Sequence, residues 1–416
     1  MGKLKIVGGD RLQGEVSVSG AKNAVLPIMA ACLLTSEPCT IYPVPALQDV
    51  LVMRDLLEFL GARVELCAGQ MRIEARDVVP QEVSQDLMRR LRASNLVLGP
   101  LLSRFHWARI AYPGGCDIGS RPMDLHLKGL AAMGAEIGDS HGFISAQCAR
   151  LQPADIQLDF PSVGATENLM MAAVLAEGTT IIRNVAKEPE IVDLQNFLNS
   201  IGARVRGAGL DTIRVDGVNQ TGGVVHQLIP DRIEAGTHLV AAAITQGEVV
   251  VRDIIPEHVE AMLAKLREAG IGLEVYADAV RVTGRGRPRP VDIKTLPYPG
   301  FPTDMQPQMV SLLALADGTS TVTENIFEKR FKYVDELRRM GAEIKVEGRM
   351  AVIIGVDHLS GAVVQATDLR AAAGLVLAGL AAENTTVVED TAHLDRGYER
   401  LDAKYNSLGA NIARLP

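Results

Sequence analysis

Apolar residues along the chain come in two textures. Stretches such as Leu169–Leu175 and Leu239–Ile244 are apolar at nearly every position. With no polar stripe at a 3.6-residue period, they predict helices buried on all sides. Other helix-like segments are only half apolar and end in one recurring pattern. It reads Leu60-Gly61-Ala62-Arg63-Val64, Met133-Gly134-Ala135-Glu136-Ile137, Ile201-Gly202-Ala203-Arg204-Val205, Ala269-Gly270-Ile271-Gly272-Leu273, Met340-Gly341-Ala342-Glu343-Ile344 and Leu408-Gly409-Ala410-Asn411-Ile412. Each reads as a helix stopped by glycine just past its end and followed by a strand.

The six glycines lie 68 to 73 residues apart, and the segments between them repeat as well. A strand pair from Leu4 to Ser19 leads to an apolar helix over Ala24–Leu34, a short strand at Thr40-Ile41-Tyr42, and the helix that stops at Gly61. The same order recurs at Asp155–Ala176 with Thr179–Ile182, and at Asp368–Ala382 with Thr385–Val388. A period near 70 is too long for a solenoid repeat and long enough for a small α/β module. Six modules suit two pseudo-symmetric domains of three modules each, with a junction at the glycines and proline of Gly222–Pro230.

Composition narrows the function. With 47% hydrophobic and 22% charged residues the chain can bury a sizeable core. Aromatics are 4% and the net charge is −8, which argues against a nucleic-acid stacking surface or a general polyanion binder. No apolar run is long enough to span a bilayer, and the strand-like Met1–Val7 lacks a signal-peptide core. The five cysteines form no CxxC pair. That pattern predicts a reducing cytoplasm and no zinc or other metal site.

Charge falls in unusual places. The starts of the apolar helices carry Lys22 and Asn23, Arg92, Asp231 and Arg232, Asp304, and Asp368 and Arg370. A helix start is partly positive, so acids are normal there and cations are not. Recurring cations at equivalent starts point to a bound anion, which free backbone N–H groups would help to hold. Arg121, Arg330 and Arg396 follow short strands in turns and join the candidates. The loop Tyr112-Pro113-Gly114-Gly115-Cys116-Asp117-Ile118-Gly119-Ser120-Arg121-Pro122 cannot continue a helix or central strand. It presents a thiol near a cation, the setting of a reactive cysteine. The residues alone therefore predict a two-domain enzyme closing on a phosphate- or carboxylate-bearing substrate.

Four motifs sharpen this. Ser19-Gly20-Ala21-Lys22-Asn23-Ala24, Pro113-Gly114-Gly115-Cys116 with Gly119-Ser120-Arg121-Pro122, Pro302-Thr303-Asp304-Met305-Gln306, and Asp395-Arg396-Gly397-Tyr398-Glu399-Arg400 resemble the UDP-N-acetylglucosamine 1-carboxyvinyltransferase family, from about Lys5 to Ala413. The resemblance implies an inside-out α/β barrel of the enolpyruvyl transferase kind. It also implies an N-terminal domain over 21–229, a C-terminal domain of 1–20 plus 230–416, and an active site in the cleft between them. The family moves the enolpyruvyl group of phosphoenolpyruvate onto the 3′-hydroxyl of UDP-N-acetylglucosamine and releases phosphate, without metal or organic cofactor. Its place in the cell is the first committed step of peptidoglycan synthesis.

By resemblance, Cys116 is the proton donor to the methylene carbon of phosphoenolpyruvate and the target of the epoxide fosfomycin. An ordinary thiol pKa of ~8.5 keeps it mostly protonated at neutral pH, and substrate phosphates would raise it further. Asp304 matches the acceptor of the 3′-hydroxyl proton, although Asp is also a common helix N-cap. Lys22, Asn23, Arg121 and Arg396 match the grip on phosphoenolpyruvate, with Arg92, Arg330 and Arg370 lining the same cleft. For the nucleotide sugar the matching positions are Asn23, Arg92, Arg121, Pro122, Met123, Asp124, Leu125, Phe160, Ser162, Val163, Gly164, Asp304 and Ile326. Some relatives carry lysine where this chain has Phe160, which packs either on the uracil or in the core. Glu188 and Glu190 are candidate partners of the cationic site. Three rivals remain: the sister enzyme acting on shikimate 3-phosphate, whose family lacks the Pro-Gly-Gly-Cys loop; a non-catalytic UDP-sugar binder; and a ring-like nucleic-acid clamp.

Overall fold

The computed structural model describes residues 2–114, 118–119 and 123–415. These fall into two compact units, one of 20–114 with 123–229, the other of 2–19, 118–119 and 230–415. Two placements differ from the expected division. Gly20 groups with the N-terminal unit because its backbone lies against Pro43, whose carbonyl oxygen would be 2.0 Å from an added Cβ. Ile118 and Gly119 group with the C-terminal unit, where the Lys329 amide donates to the Ile118 carbonyl at 3.0 Å.

Each unit holds three small sheets. In the N-terminal unit, Val224–Gln227 runs parallel to Cys39–Tyr42, which continues antiparallel to Gln70–Glu74 and Arg63–Cys67. Asp155–Gln157 runs parallel to Thr179–Arg183, which continues into Thr212–Asp216 and Arg204–Arg206. The third sheet has three strands, Trp107–Ala111, Phe143–Gln147 and Glu136–Ser140, with a lone parallel bridge from Val83 to Ile110 in place of the fourth. The C-terminal unit repeats the plan. Its sheets place Gln13–Ser17 beside Glu248–Arg252, Ile293–Lys294 beside Thr319–Thr323, and Val363–Gln365 beside Thr385–Glu389, all parallel. None of these sheets closes on itself among the described residues. Each unit thus has three separate open sheets rather than one closed sheet.

The expected N-terminal strand pair also changes. Lys3–Val7 and Gln13–Ser17 do not pair with each other. The first lies between Thr385–Glu389 and Asn411–Leu415, the second against Glu248–Arg252. Two modules have exchanged their opening strands: Gln13–Ser17 precedes the Lys22–Ala31 helix yet joins the C-terminal unit. Val224–Gln227 precedes the Arg232–Ile244 helix yet joins the N-terminal one. The chain thus passes between units at Ser19–Gly20 and at Ile229–Pro230, and joins the C-terminal unit once more at Ile118 and Gly119.

The apolar stretches form helices buried on every side, as their pattern requires. Ile233–Ile244, Gln306–Leu313 and Leu369–Leu380 are wholly buried, and their three helices pack on one another. In the N-terminal unit the helices Leu98–Phe105 and Val163–Ala173 approach so closely that a Cβ on Gly99 would lie 2.3 Å from the Asn168 carbonyl. Only glycine fits there. The strands alternate buried and solvated positions, so each sheet covers its helix with one face.

All six repeat glycines take positive φ, from 83° at Gly270 to 102° at Gly202. Their helix ends share one hydrogen-bond pattern. At the first, the Gly61 amide donates to Glu58 and the Ala62 amide to Leu57; at the last, Gly409 donates to Asn406 and Ala410 to Tyr405. The doubled bond satisfies the last free carbonyls and turns the chain into the next strand.

Candidate functional site

In the C-terminal unit three distant segments bring charged side chains together. Asp304 lies in the short turn Thr303–Met305 that opens the Gln306–Leu313 helix. Arg330 follows the strand Thr319–Thr323, and Arg370 is the second residue of the Leu369–Ala381 helix. One Arg330 nitrogen donates to Asp304 Oδ1 at 3.0 Å and to the Thr303 carbonyl at 3.2 Å. Arg370 donates to Asp304 Oδ2 through Nε, at 3.1 Å, with a second nitrogen 3.0 Å away. Asp368 caps its helix by accepting from the Arg370 and Ala371 amides, and lies 3.9 Å from Arg330.

Burial sets the character of this cluster. The arginine side chains are 2% and 4% exposed, whereas that of Asp304 is 28% exposed and faces outward over them. Burial alone would lower the Arg370 pKa, but the Asp304 carboxylate more than offsets it and holds the guanidinium firmly charged. Arg370 also stacks over the Tyr398 ring at 5.5 Å. Tyr398 is fixed in turn by Thr237 at 2.9 Å and Gln308 at 3.2 Å. The two guanidinium forks thus hold a planar anion already, the Asp304 carboxylate. The buried Nε of Arg330 and one terminal nitrogen of Arg370 have no hydrogen-bond partner among the described residues.

The N-terminal unit contributes a second group. Lys22 opens the Lys22–Ala31 helix and pairs with buried Asp49 at 2.8 Å. The cation at this helix start is thus matched by an acid from the next helix, which no motif announced. Asn23 is half-buried beside it. Arg92 donates to the Pro113 carbonyl at 3.4 Å, and the Gly114 amide donates to Met88 at 2.9 Å, so the described base of the cysteine loop is tied down. Ser162 caps the Val163–Ala173 helix by accepting from Ala165.

Beside that helix start lies His126, which belongs to none of the sequence motifs. Its Nδ1 accepts from the Asn168 side chain at 3.0 Å, and its ring would touch a Cβ on Gly164 at 3.3 Å. Burial, with the Arg92 charge adding to it, lowers the His126 pKa to about 4. Glu167, one turn into the same helix, is pushed well up by burial, then by Glu190 and Glu188.

The remaining predicted positions are dispersed. Met123 is buried and accepts from Asn95 at 3.1 Å, while Asp124 and Leu125 begin the Asp124–Ala132 helix. Phe160 is 45% exposed, so it is not core packing. Val163 and Gly164 are half-buried. Ile326 is half-buried in the C-terminal unit, and Arg396 is half-buried at the end of the Ala392–Asp395 helix. Cys116, Arg121 and Pro122 lie outside the described residues. Asp231 and Asp368 prove to be caps, each accepting from two amides.

By fold the chain is of the six-module α/β class, with two buried arginines on one partly exposed carboxylate. Comparison with known proteins refines that class. The family model of EPSP synthase (3-phosphoshikimate 1-carboxyvinyltransferase) matches residues 6–404. The chain is 59% identical over 416 residues to UDP-N-acetylglucosamine 1-carboxyvinyltransferase 1 of Carboxydothermus hydrogenoformans, covering 100% of this chain and 99% of that one. It is 53% identical over 415 residues to the UDP-N-acetylglucosamine 1-carboxyvinyltransferase of Geotalea daltonii, covering 100% of both. Among solved structures, the enolpyruvyl transferase NikO of Streptomyces tendae matches with a TM-score of 0.90 at 27% identity, over 100% of this chain and 99% of that one. EPSP synthase of Acinetobacter baumannii matches over 100% of both chains with a TM-score of 0.77 at 18% identity, a likeness of fold alone. The chain belongs to the UDP-N-acetylglucosamine 1-carboxyvinyltransferase family and has the enolpyruvyl transferase fold.

Proposed function

We infer that this protein transfers the enolpyruvyl group of phosphoenolpyruvate to the 3′-hydroxyl of UDP-N-acetylglucosamine and releases phosphate, committing the sugar to peptidoglycan. The observation that carries this is identity of 53% to 59% along the whole chain with relatives bearing the transferase name. It works in the cytoplasm; no helix among the described residues is long and apolar enough to cross a membrane. The three sheets of each unit wrap its buried helices as an inside-out barrel.

The chemistry divides among the candidate residues. Cys116 gives its proton to the methylene carbon of phosphoenolpyruvate while the 3′-oxygen bonds to the neighbouring carbon. Asp304 takes the proton from that hydroxyl. The resulting ketal then returns a proton from its new methyl group to the Cys116 thiolate and expels phosphate, which carries off the proton held by Asp304, restoring the double bond. Lys22, Arg121 and Arg396 hold the phosphate and Arg92, Arg330 and Arg370 the remaining anionic charge, where fixed cations stabilise a transition state best. Asn23 reaches both substrates. The nucleotide sugar lies along Arg121–Leu125, Phe160 and Ser162–Gly164, and Ile326 is a further contact.

The test is phosphate release from phosphoenolpyruvate with UDP-N-acetylglucosamine, beside shikimate 3-phosphate, for the wild type and Cys116→Ser. Release with the UDP-sugar alone, collapsing in the variant, is expected. Release with shikimate 3-phosphate would hand the chain to the sister reaction. Tight UDP-sugar binding without phosphate release would make it a non-catalytic binder.

A further inference from the structure

Glu324 is fully buried, ends no helix and belongs to none of the sequence motifs, yet it binds three segments of the C-terminal site together. Its Oε1 accepts from the Thr295 hydroxyl at 2.9 Å and from the Ile326 and Phe327 amides at 2.9 and 3.1 Å. Its Oε2 accepts from the Thr303 hydroxyl at 2.9 Å. Thr295 extends the hold, since its hydroxyl accepts from the Asn325 amide at 2.9 Å and its carbonyl from the Asn325 side chain at 3.1 Å.

These contacts close a ring. Thr303 immediately precedes Asp304. Ile326 and Phe327 begin the turn that delivers Arg330, whose guanidinium lies over the Phe327 ring at 5.9 Å. Arg330 then reaches back to the Thr303 carbonyl and to Asp304 Oδ1. One oxygen of Glu324 thus sets the turn carrying Ile326 and Arg330, and the other sets the turn carrying Asp304. A buried carboxylate with four donors is a rigid centre, because losing any donor leaves charge unsatisfied in a dry site.

We propose that Glu324 is a positioning residue for the transfer reaction: it fixes Asp304 and Arg330 in mutual register and seats Ile326 against the nucleotide sugar, without touching substrate. This rests on the function inferred above. The reaction needs such a device, since about 1 Å of misplacement in a catalytic group costs on the order of 10²-fold in rate.

The experiment measures kcat and both KM values by phosphate release, with thermal melts, for wild type, Glu324→Ala, Glu324→Gln and Thr303→Val. Thr303→Val cuts only the Asp304 arm. It is expected to lower kcat about 10-fold with the UDP-sugar KM unchanged, a part of the full misplacement cost. Glu324→Ala cuts both arms and is expected to lower kcat on the order of 10²-fold and raise the UDP-sugar KM through Ile326. Glu324→Gln keeps the shape and can accept from the amides while Thr303 reverses its hydroxyl, so it should return kcat to within about five-fold of wild type. If Glu324→Ala fails to fold, the Thr303→Val and Glu324→Gln arms still decide. Melting temperatures that fall while kcat and both KM values stay at wild type would make Glu324 purely structural and overturn the proposal. So would equal kcat losses in Gln and Ala. A wild type that releases no phosphate with the UDP-sugar would instead defeat the function itself.

Discussion

The crossing at Ser19 is held by a buried carboxylate whose worth can be measured. Glu234, with its side chain 3% exposed, accepts from the Ser19 amide at 2.9 Å, from His238 Nε2 at 3.3 Å and from the Lys404 ammonium. Lys404 also donates to the Ser17 carbonyl at 3.1 Å and the Ser19 hydroxyl at 2.8 Å. Burial alone would raise the Glu234 pKa, but hydrogen bonding and charge from His238 and Lys404 overcome it and hold the group at about 2, against an ordinary 4.5. A depressed carboxyl pKa contributes stability that is complete above the unfolded value and is lost as pH falls through the folded one. The contribution is about 3 kcal/mol at pH 7 and about 1.5 kcal/mol at pH 3, because a tenfold change in proton affinity is worth about 1.36 kcal/mol. Glu234→Gln removes the titrating group and keeps the shape. Urea unfolding of both proteins at pH 7, 5, 4 and 3 should therefore show a stability difference that halves across the series. The C-terminal unit's transition is the one to follow if the units unfold separately. A difference of the same size at pH 7 and pH 3 would refute the assignment, because it would come from packing rather than charge.

Two further predictions concern local devices. The His126 ring, held near pKa 4 by burial and by Arg92, is neutral in the folded chain, whereas it titrates near 6.5 when unfolded. Stability should therefore drop as pH falls from 6.5 toward 4. His126→Gln should flatten that part of the profile, and a folded-state NMR midpoint above about 6 would refute the reading. Gly202 has φ of 102°, and a Cβ added there would meet nothing within 4 Å, so its substitution brings strain and no clash. Gly202→Ala should cost about 1–2 kcal/mol in chemical unfolding and Gly202→Asn less; an equal loss for both would contradict a purely conformational cost.

The features legible in the sequence are those fixed within a few residues. Gly61, Gly134, Gly202, Gly270, Gly341 and Gly409 each stop a helix with bonds spanning no more than about six residues, so the pattern alone located them. Helices such as Leu369–Ala381 declare their burial by having no polar face. The motifs around Lys22, Asp304 and Arg396 likewise mark the family without any knowledge of the fold.

Tertiary structure decided the rest, because nothing local distinguishes the alternatives. Gln13–Ser17 buries only Val16, so its own pattern does not name its partner, which is Glu248–Arg252. Arg370 pairs with Asp304 across 66 residues, and Glu324 collects donors from Thr295 to Phe327. A charged residue in a sequence shows neither its depth nor its partner, and both are set by which buried helices pack together. The chain's own pattern thus determined six modules and their helix ends, while long-range packing decided which modules share strands and which acids hold the arginines.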